Sequence, residues 1–393
     1  MLRAFYRHND PKLVAVLQSA GLAREFREGS GSWLIGKDGR HYLDMSGNFG
    51  SVALGYGHPQ IVAALRSSLD RKIPHVAPYG VDEASGELAR QLLDLAMLPD
   101  HKVLYCSSGS EAVRVAVQLS QESTNRECFL SLASHHHGIG WQQSEHLVCA
   151  DVEEMLRAVQ GQQYAAVVIE VCAGSHPVCL SNEEMARLKH ACESSGTVFV
   201  VDEVLTGLGR TGLAFAFHRS GLRPDIVAVS KVLGAGVVSS AAVLLSNTIY
   251  SQASTVTGLS HLRTSMAGNS LALTVGLAVM SILQDEKLID SVNQRSTALA
   301  SGIRDVSKRT YCFGDPTVCG LLLRVPVIDE MGKPDSATAM QIVQKLMDHG
   351  VISTLALKAP DCIVFTPPLN IGPSEVSYCV EALKMVSKEL FGA

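Results

Sequence analysis

An α/β fold is what this sequence predicts, and three observations carry the prediction. From about residue 100 to residue 246, short apolar runs alternate with segments whose apolar residues recur at helical spacing. The runs are apolar on both faces, as strands are when helices cover a sheet on both sides. The 33 glycines among 393 residues suit a chain with many tight turns.

The elements follow in order. Residues 11–20 read as a helix. GSWLIGKDGRHYLDM alternates apolar and polar residues around Lys37, Asp38 and Gly39, a hairpin signal. HPQIVAALRSSL and ASGELARQLLDLA have helical period. KVLYCS is then a strand and GSEAVRVAVQLSQE a helix, and YAAVVIEV is the next strand. NEEMARLKHACESSG is a helix with Asn182 as its expected N-cap and Gly196 past its end. TVFVVDEV, DIVAVS and SAAVLLS are further strands. From about Gly268 the pattern turns helical. The last hundred residues mix helices with strands such as CGLLLRVPV and CIVFTPP and read as a separate α+β unit. No internal repeat or low-complexity linker interrupts the chain.

Composition excludes several classes. A formal charge of −5 argues against nucleic-acid binding through bulk electrostatics. The N-terminus lacks the long apolar region and cleavage site of a secretory signal. No apolar run reaches the roughly 20 residues of a membrane span. A soluble, cytoplasmic protein is therefore expected. The ten cysteines follow no spacing pattern and include no CxxC pair. Several lie in apolar runs, as Cys106 does, so they read as reduced core residues. The histidines at 135–137 have no cysteine or carboxylate beside them at ligand spacing, and no metal site is expected.

Three features fall at the ends of successive strands, the edge at which an open α/β sheet binds ligands. In CSSGSEAV a strand ends, Gly109 permits a tight turn, and a helix begins. Free backbone N–H groups there, with the hydroxyls of Ser108 and Ser110, make an anion site, although a plain helix cap has the same signature. In VVDEVLTGLGRTG, Asp202 and Glu203 follow four apolar strand residues. A carboxylate at that depth needs a partner, either in a salt bridge or cap or as a protonated ring nitrogen. In DIVAVSKVLGAGV, Lys231 ends an apolar strand, where burial lowers an amine's pKa and makes it a nucleophile toward aldehydes. A snorkelling lysine is the plainer alternative. Taken together, an anion nest, a carboxylate and a reactive lysine are the three groups that pyridoxal 5'-phosphate requires.

The same residues carry a family likeness. VFVVDEVLTGLGRTG followed by PDIVAVSKVLGAG resembles the class III aminotransferases of the fold-type-I pyridoxal-phosphate superfamily. LDMSGNFGSVALGYGHP, SSGSEA, HHG and FTPPL match further blocks in the same order. The resemblance implies a mostly parallel seven-stranded sheet between helices in a large cofactor-binding domain over 56–285. It also implies a small α+β domain from both termini, 1–55 and 286–393. By matching position, Lys231 would be the Schiff-base lysine and Asp202 would keep the pyridine nitrogen protonated. Val204 and His136 would flank the ring, His136 replacing the family's Phe or Tyr. An imidazole there stacks less extensively and titrates near neutral pH. Ser108, Gly109, Ser110 and Glu170 would join the cofactor site, and Asn48 and Phe49 the substrate site. Ser265, or Thr264 in the adjacent register, would reach the phosphate from the partner subunit of a homodimer.

Two departures bear on substrate. Members that use glutamate carry an arginine three residues before Pro-Pro-Leu, where this chain has Val364. They also carry a glutamate after Gln-Gly, where EVCAGS places Ser175. Both halves of an ion pair are absent together, which is coherent because either charge alone would be costly to bury. Lys358 is the nearest alternative cation, with a surface position the plainer expectation. The implied activity is ping-pong transfer of an amino group from an amine or amino-acid donor to an aldehyde or ketone acceptor. An ω-type enzyme of secondary metabolism fits these departures. An aminomutase resembling glutamate-1-semialdehyde aminomutase, or a non-catalytic pyridoxal-phosphate binder, are the competing readings.

Overall fold

The computed structural model describes residues 2–19, 23–75, 81–142, 144–161, 163–257, 264–310 and 312–392. After two N-terminal helices come three antiparallel strands: β1 (Phe26–Ser30), β2 (Trp33–Gly36) and β3 (His41–Asp44). Lys37, Asp38 and Gly39 form the expected turn between β2 and β3, with Gly39 at a φ of 82°. The expected N-terminal helix spans Pro11–Ser19, and residue 20 lies outside the described residues.

Seven strands build the central sheet: β4 (His101–Cys106), β5 (Phe129–Leu132), β6 (His146–Cys149), β7 (Ala166–Ile169), β8 (Val198–Glu203), β9 (Ile226–Val229) and β10 (Ala241–Ser246). Their order is β4-β10-β9-β8-β7-β5-β6. β10 runs antiparallel to both neighbours, and the other pairs are parallel. The sheet is therefore mostly parallel, as expected. Because β4 and β9 each run against β10, their C-terminal ends share one edge with those of β7 and β8.

Strand alternation divides the residues between two apolar layers. Val200, Ile226 and Ala228 pack on the helix Gly109–Thr124 with Ala112, Val113 and Ala116. Val201, Val227 and Val229 face the opposite layer with Phe199, Phe215 and Phe217. The same alternation sends Asp202 and Glu203 to opposite faces.

The remaining strands are β11 (Thr317–Cys319), β12 (Leu322–Pro326), β13 (Val351–Ile352), β14 (Thr354–Ala356) and β15 (Ala359–Phe365). β11, β12, β15 and β14 form one sheet, whereas β13 pairs in parallel with β3 and completes the N-terminal sheet. One helix cap differs from expectation. Ser181, not Asn182, caps the helix Asn182–Ser195: its hydroxyl accepts from the Glu184 amide, and the Glu184 carboxylate accepts from the Ser181 amide. The extended backbone of Ser181 suits an N-cap, and Asn182 is already helical. Gly196 follows at a φ of 64°, as expected. No helix of the described residues is long and apolar enough to cross a membrane.

Candidate active site

A cavity of about 920 Å³ opens at the C-terminal edge of the central sheet. Its size suits a cofactor together with a small substrate. The loops after β4, β7, β8 and β9 reach it, and so does the chain after β3.

The loop after β4 supplies Ser108, Gly109 and Ser110. Ser108 caps the helix Gly109–Thr124, its Oγ accepting from the Glu111 amide at 3.2 Å. The capping alternative thus holds for the Ser108 hydroxyl. The amides of Gly109 and Ser110 have no acceptor among the described residues and are available to an anion. Gly109 is required by space, since a Cβ there would lie 2.6 Å from Val204 Cγ1. Gly138, at a φ of 81°, packs so closely that its Cβ would meet Ser110 Oγ at 2.5 Å. The histidine loop is thereby pressed against the anion nest.

Asp202 ends β8 almost fully buried. Its Oδ2 lies 2.8 Å from His137 Nδ1, and its Oδ1 accepts from the Val204 amide at 3.0 Å. His137 is itself buried, and its carbonyl accepts from Trp141 Nε1 at 2.9 Å. These bonds leave Asp202 pre-oriented toward the cavity it lines. Glu203 does different work on the other face. It accepts from Thr206 Oγ1 at 2.5 Å and from the Phe217 amide at 2.9 Å. Burial raises its pKa to about 7.

Glu170, after β7, is buried and lines the cavity. Its two oxygens accept from the amides of His136 at 2.9 Å and Gly174 at 3.1 Å. Burial first, and then Asp202, push its carboxyl upward. It also holds the backbone of His136 in place. Burial is the largest cause lowering the His136 imidazole, with Lys358 and His137 adding to it.

Lys231 follows β9 at a φ of 35°, a conformation a side-chain-bearing residue holds only under constraint. Its ammonium has no hydrogen-bond partner among the described residues. Burial lowers its pKa to about 8, against the opposing pull of Glu170 and Asp202. An amine so placed is readily deprotonated and points into a cavity that also holds a carboxylate and an anion nest.

The far end of the cavity is different. Val364 and Ser175 both line it, with Met340, Val343, Leu355 and Leu357. No arginine is among its described lining residues. Lys358 does not replace one, because its ammonium donates to the carbonyls of Ala133, at 2.7 Å, and His135. It is exposed but tethered to the histidine loop.

Asn48 and Phe49 line the cavity, both in left-handed backbone conformations. Trp141 is not among the lining residues and packs edge-on to Phe129 with ring centres 4.8 Å apart. Thr264 and Ser265 do not line the cavity of this chain. The Thr264 hydroxyl donates to Glu111 at 3.0 Å and lies 3.1 Å from Ser107 Oγ, while the Ser265 carbonyl meets His75 Nε2 at 2.7 Å. Sequence reasoning did not pair His137 with Asp202, since 65 positions separate them.

The family model for class III aminotransferases matches residues 17–144 and 139–386. The chain belongs to the class III aminotransferases. Succinylornithine transaminase from Yersinia enterocolitica is 28% identical over 390 residues, covering 91% of this chain and 90% of that protein. Acetylornithine aminotransferase from Streptomyces coelicolor is 29% identical over 381 residues, covering 90% and 89%. The solved structure of the ω-transaminase from Pseudomonas jessenii in complex with PMP superposes with a TM-score of 0.87 at 21% identity. It covers 98% of this chain and 96% of that one. This aminotransferase is a pyridoxal-phosphate enzyme acting on small-molecule amines and carbonyl compounds. Its cavity suits that cofactor: two unpaired helix amides for a phosphate, a buried carboxylate for a ring N–H, and an unpartnered amine for an aldehyde.

Proposed function

We propose that this aminotransferase moves an amino group from the terminal amine of an amine or amino-acid donor to an aldehyde or ketone whose reacting carbon carries no carboxylate. One observation carries the proposal: Val364 and Ser175 line the substrate end of the cavity among apolar side chains, with no arginine among the described lining residues. A free carboxylate there would be desolvated without a guanidinium to meet it. That chemistry supports an ω-type reaction, of the kind used in secondary metabolism.

The residue roles rest on the geometry. The cofactor supplies an electron sink for charge that develops on the substrate carbon. The amides of Gly109 and Ser110 would hold its phosphate, while Val204 and His136 would flank its ring. Asp202, fixed by His137 and the Val204 amide, would keep the ring nitrogen protonated. Lys231 would hold the aldehyde carbon. Its amine, when free, would take a proton from the substrate carbon and return it to the former aldehyde carbon, on the other side of the nitrogen. A pKa near 8 suits both directions of that transfer.

We also infer a homodimer. Phe49, Val237 and Leu357 line the cavity yet are 63%, 55% and 71% exposed in the single chain. Such apolar surface at a binding site suits cover by a second copy. Sedimentation of the holoenzyme as a monomer with full activity would refute this.

The decisive experiment follows the visible absorbance of the holoenzyme as amines and amino acids are added. Loss of the bound-cofactor band with a terminal amine, and not with glutamate, is expected. A fast response to glutamate would overturn the substrate assignment.

A further inference from the structure

Beside the cavity, the segment after β7 doubles back on itself. Ala173 donates its amide to Val178 O at 2.9 Å, and Leu180 donates to Val171 O at 2.8 Å. Between these two bonds, Cys172 and Cys179 stand opposite one another as an antiparallel pair. They are thus a non-hydrogen-bonded cross-strand pair. In such a pair the α-carbons approach to about 4.5 Å and the side chains share a face. That separation lies within the span of a disulfide. Cys319, at the end of β11, brings a third sulfur, and all three lie within 4.8 Å of one another. The scattered cysteine spacing gave no hint of this cluster.

Arg324, on β12, faces the same sulfurs. It is fully buried, at 0% exposure. Nη2 lies 3.3 Å from Cys179 Sγ, and Nη1 donates to the carbonyls of Ala173, His176 at 2.9 Å and Val178 at 3.4 Å. No carboxylate is among its partners in the described residues. A guanidinium buried without a counter-charge is costly, and a Cys179 thiolate supplies one. The S–H groups of Cys172 and Cys319, and then Arg324, hold the Cys179 thiol below its ordinary range; the Cys179 bond in turn pushes Cys172 up. Cys179 and Cys319 are half-buried, so a small reagent has access.

We propose that Cys179 is an oxidant-sensitive thiolate held by Arg324, and that a hydroperoxide converts it, with Cys172, into a cross-strand disulfide. The Cys179 thiolate attacks the peroxide, breaking the O–O bond and leaving a sulfenic acid and hydroxide (alkoxide for an organic peroxide). The Cys172 sulfur then attacks the sulfenic sulfur. Its S–H proton joins the departing hydroxide as water, and the S–S bond forms. The two electrons lost by the sulfurs reduce the peroxide. Arg324 also grips the segment that carries Gly174 and Ser175 to the cavity, so the modification acts beside the active site.

The test is peptide mapping of the holoenzyme, first by brief iodoacetamide labelling and then after hydrogen peroxide. Cys128 is the reference, being half-buried with the Ser144 carbonyl as its thiol's partner among the described residues. Cys179 is expected to label on the order of tenfold faster than Cys128. Peroxide is expected to yield a Cys172–Cys179 linked peptide lighter by two hydrogens, reversed by dithiothreitol. Cys172→Ser should instead leave a sulfenic acid at Cys179 that dimedone traps. Arg324→Met should slow the oxidation; Cys172→Ser carries the test if that variant does not fold. Equal labelling of Cys179 and Cys128, or a peroxide product that omits Cys179, would overturn the proposal. So would stoichiometric zinc in the purified holoenzyme that blocks oxidation until it is chelated, which would make the cluster a metal centre.

Discussion

The two ends of one cavity are built on opposite principles. At the cofactor end the carboxylates are held, Asp202 by His137 and the Val204 amide and Glu170 by two amides, and Val204 crowds Gly109. At the substrate end Val364, Leu355, Leu357 and Met340 present side chains with nothing to bond, and Ser175 donates away from the cavity to Ser134 O at 2.9 Å. The held end belongs to chemistry shared across the family. The slack end is where this chain states its own preference, by shape and desolvation.

The largest effect is expected at the held end. Lys231→Ala should reduce turnover by about 10³-fold or more, since the proposed role of the amine is both to anchor the cofactor and to carry the proton. Steady-state rates beside an unchanged urea midpoint would check it. Asp202→Asn comes next. Asparagine keeps an acceptor for the Val204 amide but has no charge for a ring N–H. Its kcat should fall by about 10² to 10³-fold, with the bound-cofactor spectrum altered. A rate within threefold of the parent, roughly 0.6 kcal/mol of barrier, would show that Asp202 is structural.

Val364→Arg probes the slack end. Alone it buries a guanidinium without a partner and should cost about 3 kcal/mol in denaturant unfolding. Combined with Ser175→Glu it should recover much of that loss and gain turnover with glutamate. A double variant no more stable than the single would show that the two positions do not meet, and that the cavity's selectivity has another source.

A smaller effect separates the adjacent carboxylates. Folding raises the Glu203 pKa from 4.5 to about 7, so between those values the folded state holds the proton more tightly than the unfolded chain. Stability should therefore fall as pH rises from 4.5 to 7 and stay at the lower level above it. Glu203→Gln should flatten this slope, because the amide can still accept from the Phe217 amide and donate to Thr206. Urea midpoints at several pH values would measure it, and activity at pH 8 should survive, in contrast to Asp202→Asn.

That contrast also shows what was legible in the sequence. The strands of the central sheet announce themselves as apolar runs, and the site lies where such runs end in Asp202 and Lys231. Alternation along β8 decides which of two neighbouring acids faces the cavity, a matter of register that becomes certain only once Val200 and Val201 are seen to face different layers. Long-range pairings were not legible. His137 meets Asp202, Arg210 holds carbonyls of Gly50, Leu321 and Pro367, and Cys319 joins Cys172 and Cys179. Each depends on how distant segments fold together, and local pattern carries no trace of that. Short strands such as β5 and β6 escaped notice because four residues hold too little periodicity.

The smallest predicted effect concerns the one place where the held end is looser than its family likeness implies. His136 is exposed, its backbone amide is fixed by Glu170, and its ring has less area than Phe to lay on a cofactor. His136→Phe should tighten cofactor retention by about 0.5–1.5 kcal/mol, read as a three- to tenfold slower loss of the bound-cofactor band on dilution. Glu170 would still hold the backbone, so the loop itself should not move. The imidazole is held below its ordinary pKa by burial and by Lys358. Its replacement should leave the pH profile unchanged near neutrality. A profile that shifts with His136→Phe would mean that the imidazole exchanges protons during turnover. The slack end would then reach as far as the ring, and the boundary between the two halves of the cavity would have to be redrawn at His136.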